Sequence, residues 1–233
     1  MDEFLLRVFQ GEVLNQCHYA LRGAALLDEW RRDVAEEHEN MRRYFKLEQE
    51  IRAERVAAGN RGDVDGVSEL WKRQRAVAKK RQPVREPTVA AWFAIQSILV
   101  SASNISKLLW GSPSHRRAQA DIEADRQALR LSLRATKKSP LRSRAVRNGF
   151  EHIDEELERL GKPGAPKVYV SRNIGRVRAI KVAQASAREW YGHYDPETGR
   201  VTFLGRRSAS IPRLIGEVER IYPIVEELVR QPF

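Results

Sequence analysis

The chain has 233 residues, a formal net charge of +11 and a sequence pI of about 10.1. This length suits one domain, or one domain with an appendage, and the charge makes a polyanion such as a nucleic acid the expected partner. The single cysteine, Cys17, excludes an intramolecular disulfide, and the acidic Met-Asp-Glu-Phe start is unlike a secretory signal, so we expect a cytoplasmic protein.

The first third of the chain is predicted to be helical because apolar residues recur every three or four positions. We expect helices over residues 2–25, 27–58 and 66–81, with a break at the glycine-containing run 58–63. Cys17 lies on the apolar face of the first helix and is predicted to be a core residue. The second helix is heavily charged with a thin apolar stripe, so residues 27–81 are predicted to form a protruding helical hairpin.

Residues 87–106 carry no formal charge, which raises the question of a membrane span. Polar residues in lipid need hydrogen-bond partners, and this stretch includes Gln96, Ser97, Ser101, Ser103, Asn104 and Ser106. A helix that is apolar on most sides belongs in the middle of a helical domain. We therefore predict a buried central helix from Thr88 to Trp110 and no membrane association.

The second half is predicted to change from helical to mixed structure. Helices are expected over about 114–136 and from Pro140 to about residue 160, with a last helix at about 211–230. Between them, residues 167–170 and 177–180 are predicted to be extended, and the segments 190–194 and 201–204 flank a turn and predict a β-hairpin. The fold class is mainly α: a helical domain over 1–162 and a small β-hairpin-containing appendage over 163–233.

A short polar segment, Arg147-Asn148-Gly149-Phe150-Glu151-His152, lies within one of these predicted helices. An arginine binds phosphate, and a histidine can move a proton near neutral pH. Asn148 and His152 are neighbours on one helix face, whereas Arg147 lies about 140° around the axis from His152. Two copies meeting across a two-fold axis would bring the groups together more easily. The alternative is a solvated face on which Arg147 pairs with Glu151.

The charge distribution adds a second signal, because no acidic residue lies between Asp125 and Glu151. The basic residues in that window are predicted to bind RNA: Arg126, Arg130, Arg134, Lys137, Lys138, Arg142 and Arg144. The first three are spaced by four and predict a single basic ridge on one helix. A second acid-free run covers residues 72–85. Clustered cations bind phosphate backbones and release counterions, although a solvated face is the alternative.

The Arg147-Asn148 pair followed by His152 resembles the R-x4–6-H motif of HEPN domains, and the helical plan is similar to a HEPN-like helical bundle. The resemblance covers residues 1–160 in architecture and only 147–152 in motif. It implies a metal-independent endoribonuclease that acts as a homodimer without a cofactor or metal. Arg147 and His152 would be the catalytic pair, with Asn148 as polar support and the RNA 2′-hydroxyl as nucleophile.

The biological setting is also implied by the resemblance, since such proteins often serve as toxins or antiviral defence components. The expected partners are then RNA, a second copy of the chain and an antitoxin or regulatory protein. Some relatives of this type lack activity, so the main alternative is a non-catalytic helical dimer that binds nucleic acid or a partner protein. A third class is an interaction scaffold with residues 27–81 as docking arm.

Overall fold

The computed structural model describes residues 1–80, 87–111, 119–143, 158, 172–175, 192–203 and 207–231. Most of these residues are helical, and a small sheet lies near the C-terminus, which confirms the predicted mainly-α fold class. The described elements are α1 (Glu3–Asn60), α2 (Val64–Lys80), α3 (Pro87–Trp110), α4 (Gln119–Asp125), α5 (Gln127–Ser132), a 3-10 turn (Pro140–Arg142), β1 (Asn173–Ile174), β2 (Gly192–Asp195), β3 (Arg200–Phe203), β4 (Arg207–Ser210) and α6 (Ile211–Arg230).

The chain divides into two compact units, one formed by residues 1–27 with 88–233 and one by residues 28–87. In the second unit, α2 packs on the C-terminal part of α1 through Arg55. Its guanidinium lies 3.7 Å from the centre of the Trp71 ring and donates to Gln74 Oε1 at 2.7 Å. Ile51 and Val77 are buried there. The predicted domain boundary at 162–163 lies outside the described residues and stays a prediction.

The long helix α1 differs from the sequence prediction, which placed a break near residue 26. It runs without interruption from Glu3 to Asn60. Residues 24–30 are Ala-Ala-Leu-Leu-Asp-Glu-Trp, a run without glycine or proline that is dominated by good helix formers. A change of apolar pattern does not by itself end a helix, so the prediction of two separate helices was wrong.

The apolar helix α3 lies in the core of the first unit, with Trp92, Ile98 and Leu109 buried. It approaches α1 closely at Gly23, where an added Cβ would lie 3.0 Å from Ile98 Cγ1. By length and composition alone α3 could cross a membrane, and more than half of its most apolar stretch is buried inside the protein. This burial agrees with the predicted central position of the helix.

The described strands form a sheet in the order β1-β2-β3-β4, with β1 parallel to β2 and the other pairs antiparallel. The predicted hairpin is confirmed: Asp195 lies opposite Arg200, and Gly199 in the turn has a φ of +62°. Strand β4 was not predicted. It runs directly into α6, whose N-cap Ser210 accepts a hydrogen bond from the Arg213 N–H at 3.4 Å.

The sheet is joined to the helical core by Trp92 of α3. Its indole Nε1 donates to the carbonyl of Arg172 at 2.8 Å, just before β1. Its ring meets Phe203 of β3 edge-on at 6.3 Å between ring centres. Trp92 therefore satisfies its one polar atom while its ring fills the space between α3 and the sheet.

Cys17 is fully buried on α1, as expected from the sequence, and this burial predicts a low reactivity of its thiol. Loss of solvation raises the pKa of the thiol to about 12, so almost no thiolate forms at pH 8. We expect iodoacetamide to leave Cys17 unmodified in the native protein and to label it fully in guanidinium chloride, as measured by intact mass. Rapid labelling under native conditions would contradict the position of Cys17 in the core.

Candidate nucleic-acid interface

The sequence predicted one continuous helix for the basic run that follows Asp125. The structure does not place this run on one continuous helix. Helix α4 ends at Asp125, α5 begins at Gln127, and Arg126 between them has φ −87° and ψ 0°. Helix α5 itself ends at Ser132. In the described residues the predicted helix over 114–136 is interrupted at Arg126 and ends at Ser132, so Arg134 lies beyond α5 and does not continue a helical ridge with Arg130.

Two of these arginines take part in packing. The Arg126 guanidinium lies 3.8 Å from the centre of the Phe9 ring, a cation–π contact between α1 and the α4–α5 junction. Arg130 donates from Nη1 to the Leu109 carbonyl at 2.8 Å and from Nη2 to the Glu123 carbonyl at 2.5 Å. Leu109 is in the last turn of α3, where carbonyls lack helical partners. Arg130 thus connects the end of α3 to α4.

Arg134 has a different environment, because its side chain is exposed and its backbone is left-handed, with φ +50°. It follows α5 at the position where glycine is usually found. The Ala135 N–H donates to the Arg130 carbonyl at 2.8 Å, which is the 6→1 hydrogen bond of the Schellman motif at a helix C-terminus. A side chain at positive φ costs about 1 kcal/mol or more. The chain therefore carries a guanidinium at a position where glycine would be more stable.

We expect Arg134→Gly to raise the free energy of unfolding by up to about 1 kcal/mol, because glycine accepts this φ without strain. Arg134→Ala is the matched control, since it removes the same guanidinium but keeps the strain. Both variants should bind single-stranded RNA more weakly and reduce the salt slope by about 0.7. Urea unfolding and RNA titration at several salt concentrations measure both effects, and unchanged RNA affinity would remove Arg134 from the interface.

Lys137 and Arg142 line a cavity of about 520 Å³ together with Trp110, Glu123, Ser139 and Ser143, and we call this the basic cavity. Both cations are exposed. Arg142 Nη2 lies 4.0 Å from Glu123 Oε1, with side chains 44% and 27% exposed. A partly exposed pair of this length is worth at most about 1 kcal/mol. Arg142 can therefore exchange Glu123 for a phosphate at small cost.

The turn that forms part of the wall of the basic cavity packs against α6. Ser139 is buried and accepts from the Leu141 N–H at 3.3 Å. Arg220 donates to both oxygens of Glu217 at 2.9 Å. The hydrogen bond from Arg220 is the main reason that the pKa of Glu217 is lowered, Ser139 adds to the effect and burial opposes it. Glu217 is therefore held ionised on α6, the helix that packs against the turn carrying Arg142.

The motif residues themselves lie outside the described residues: Arg144, Arg147, Asn148 and His152. The helix predicted to carry them does not begin at Pro140. Pro140–Arg142 is a single 3-10 turn, and Ser143 after it is extended, with φ −67° and ψ 118°. The structure therefore describes the chain up to Ser143, four residues before Arg147, and the basic cavity is built from the residues that precede the motif.

Two further histidines make contacts that join elements of the fold. His18 Nε2 lies 3.2 Å from the hydroxyl of Tyr222, which donates to Glu226 at 2.8 Å, so this chain of side chains links α1 to α6. His193 is buried in β2 with Nδ1 3.2 Å from Asn173 Nδ2. Burial lowers the pKa of His193, and Asp195 partly opposes this shift.

No protein-family model, curated protein or solved structure matches this chain. The resemblance to HEPN domains therefore rests on the motif and on the helical plan. Nothing in the sequence marks Trp110, Ser139 and Ser143 as neighbours of Lys137 and Arg142. The Ser139-Pro140 pair was visible as a helix-start signal, but its place in a cavity wall depends on contacts with α6 that spacing does not reveal.

Proposed function

We propose that this protein is a metal-independent endoribonuclease of the HEPN type, acting as a homodimer with a site shared by the two copies. The observation that carries the proposal is the spacing of Arg147, Asn148 and His152 directly after an acid-free basic run. The described part of this basic run supports the proposal, because Lys137 and Arg142 line one cavity. Both residues lie shortly before the motif in the sequence.

The proposed chemistry uses the RNA itself as nucleophile. The 2′-oxygen attacks the adjacent phosphorus as the bond from phosphorus to the 5′-oxygen breaks, which leaves a 2′,3′-cyclic phosphate and a 5′-hydroxyl. His152 takes the proton from the 2′-hydroxyl or returns one to the leaving oxygen. Arg147 stabilises the negative charge that develops on the phosphate, and Asn148 supports the histidine from the same helix face.

Substrate binding is proposed to depend on exposed cations close to the motif in sequence. Among the described residues, Arg134, Lys137, Lys138 and Arg142 are exposed. Arg126 and Arg130 contribute through folding instead, because both guanidiniums are held by Phe9 or by backbone carbonyls. Contacts with the phosphate backbone give affinity without sequence preference and weaken steeply with salt.

We further propose a role as a cytoplasmic toxin or antiviral defence component that is controlled by an antitoxin or regulatory protein. A ribonuclease that recognises phosphate and the 2′-hydroxyl has little intrinsic sequence preference, so a cell that makes it requires a means of restraint. Co-expression with the product of a neighbouring small reading frame tests this: growth arrest that is relieved by the neighbour is the expected result.

The activity is tested with purified protein and labelled single-stranded RNA in EDTA. The expected result is cleavage that yields 2′,3′-cyclic ends. The matched control is the same oligonucleotide with one 2′-deoxynucleotide, which should resist cleavage at that position alone because the nucleophile is missing. Binding of the RNA without any cleavage would overturn the proposed enzymatic function and favour a non-catalytic dimer that binds nucleic acid.

A further inference from the structure

A second cavity, of about 290 Å³, lies among α3, the 3-10 turn, β4 and α6, and Ser143 lines both this cavity and the basic cavity. Its interior is formed by Leu99 and Ala102 of α3, Leu141 of the turn and Leu214 of α6. The volume is close to the lower limit for small-molecule sites, so the cavity suits one small ligand. We call it the α6 cavity.

One polar group in the apolar part of the α6 cavity has no hydrogen-bond partner among the described residues. Ser103 lines the cavity and is 9% exposed, and its hydroxyl forms no hydrogen bond with any residue that the structure describes. A buried hydroxyl without a partner costs roughly 1–3 kcal/mol. An apolar residue would be more stable at this position unless a ligand supplies the missing hydrogen bond.

The rim of the α6 cavity presents hydroxyl groups that are available as donors. Ser208 Oγ accepts from Arg200 Nη1 at 3.0 Å, and Ser210 Oγ accepts from the Arg213 N–H at 3.4 Å. In the described part of the chain neither hydroxyl donates a hydrogen bond. A serine hydroxyl has one proton to donate, so these two groups can direct their protons to a ligand, as can the exposed Ser143.

The charge at this rim is positive. Arg213 lines the cavity, is exposed and forms no ion pair within the described ranges. It lies in the first turn of α6, a 20-residue helix whose N-terminus carries the positive end of the helix dipole. None of the described lining residues is a carboxylate. The rim is therefore suited to an anion, whereas the interior is suited to an apolar group.

We propose that the α6 cavity binds a small organic anion, with a short apolar body among Leu99, Leu141 and Leu214 and a carboxylate or phosphate group at Arg213. The hydroxyls of Ser208 and Ser210 donate to the anionic group, and Ser103 hydrogen-bonds to a polar atom on the body. The proposal uses none of the proposed catalytic residues, and it stands whether or not the protein cleaves RNA.

The test is calorimetric titration of the full chain with hexanoate and with n-butyl phosphate, each of which combines an aliphatic body with one anionic group. Saturable binding with one ligand per chain is expected for at least one of them, and the preferred probe identifies the head group. Inorganic phosphate and hexanamide each lack one half of the ligand and should bind at least about 10-fold more weakly. Equal binding of inorganic phosphate would overturn the apolar part of the proposal.

Variants separate binding at this site from general attraction to a basic protein. Arg213→Gln should weaken binding of the preferred probe by about 10-fold or more. Arg230→Gln, at the other end of α6, should keep the affinity within about two-fold of the parent's. 6-Hydroxyhexanoate adds a polar atom to the body of hexanoate and should bind the parent several-fold more tightly than hexanoate. Ser103→Ala should remove that gain while thermal stability is kept or raised. No binding of either probe to the parent, or equal losses in Arg213→Gln and Arg230→Gln, would overturn the proposal.

Discussion

His152→Ala is expected to reduce RNA cleavage by at least about 100-fold, because a positioned general acid or base contributes roughly 100- to 10,000-fold. Arg147→Ala should cause a loss of about 100- to 1000-fold, since it removes a donor to the charge that develops on the phosphate. Initial rates on labelled RNA in EDTA measure both effects. Thermal unfolding should be unchanged for each variant if these residues act in chemistry and not in folding.

Matched controls for these variants lie elsewhere on the chain. His38 and Arg32 are exposed on α1 within the second unit, so His38→Ala and Arg32→Ala remove the same chemical groups away from the motif. Both should cut RNA at the parent's rate. Arg147→Lys adds a graded test, because it keeps the charge but loses the planar, bidentate donor. Parental cleavage rates in both Arg147→Ala and His152→Ala would refute the assignment.

Trp92→Ala is expected to lower the free energy of unfolding by about 3–5 kcal/mol, the range for removing a buried aromatic side chain. The indole is 1% exposed, contacts Phe203 and lies close to residue 192, where an added Cβ on Gly192 would lie 3.3 Å from the ring. Urea unfolding followed by circular dichroism measures the change. A loss of that size would show that the stability of the sheet depends on its packing against α3.

The neighbouring residue supplies the control for Trp92. Phe93 is 64% exposed, so Phe93→Ala should change the free energy of unfolding by less than about 0.5 kcal/mol. Trp92→Phe isolates the hydrogen bond, because it keeps an aromatic ring but leaves the Arg172 carbonyl without its donor, at a cost of roughly 1–3 kcal/mol. Equal stabilities of Trp92→Ala and Phe93→Ala would contradict the packing of α3 against the sheet.

The helices and the hairpin could be predicted because their signals are local. The charge-free apolar stretch 87–106 indicated α3, and the turn residues 195–199 indicated the pairing of β2 with β3. The boundary at residue 126 could not be predicted in this way, since it accompanies contacts of Arg126 with Phe9 and of Arg130 with Leu109. These partners are distant in sequence, and no window of neighbouring residues contains them.

The candidate site was predictable in composition but not in arrangement. Counting charges treats all basic residues alike, whereas the structure separates Arg130, which binds two carbonyls, from Arg134 and Arg142, which are exposed. The α6 cavity had no sequence signal except a serine within the apolar helix α3. A ligand-binding role for Ser103 can be inferred only from the structure, in which Leu141 and Arg213, from separate parts of the chain, line the same cavity.

The shared dimer site is the central claim, and mixing two inactive variants tests it most directly. Arg147→Ala and His152→Ala proteins are unfolded together, refolded and assayed for RNA cleavage in EDTA. If each site takes Arg147 from one copy and His152 from the other, half of the dimers regain one of two sites, and about a quarter of the parent's activity returns. No recovery, with mixed dimers shown to form, would contradict a site built from two copies.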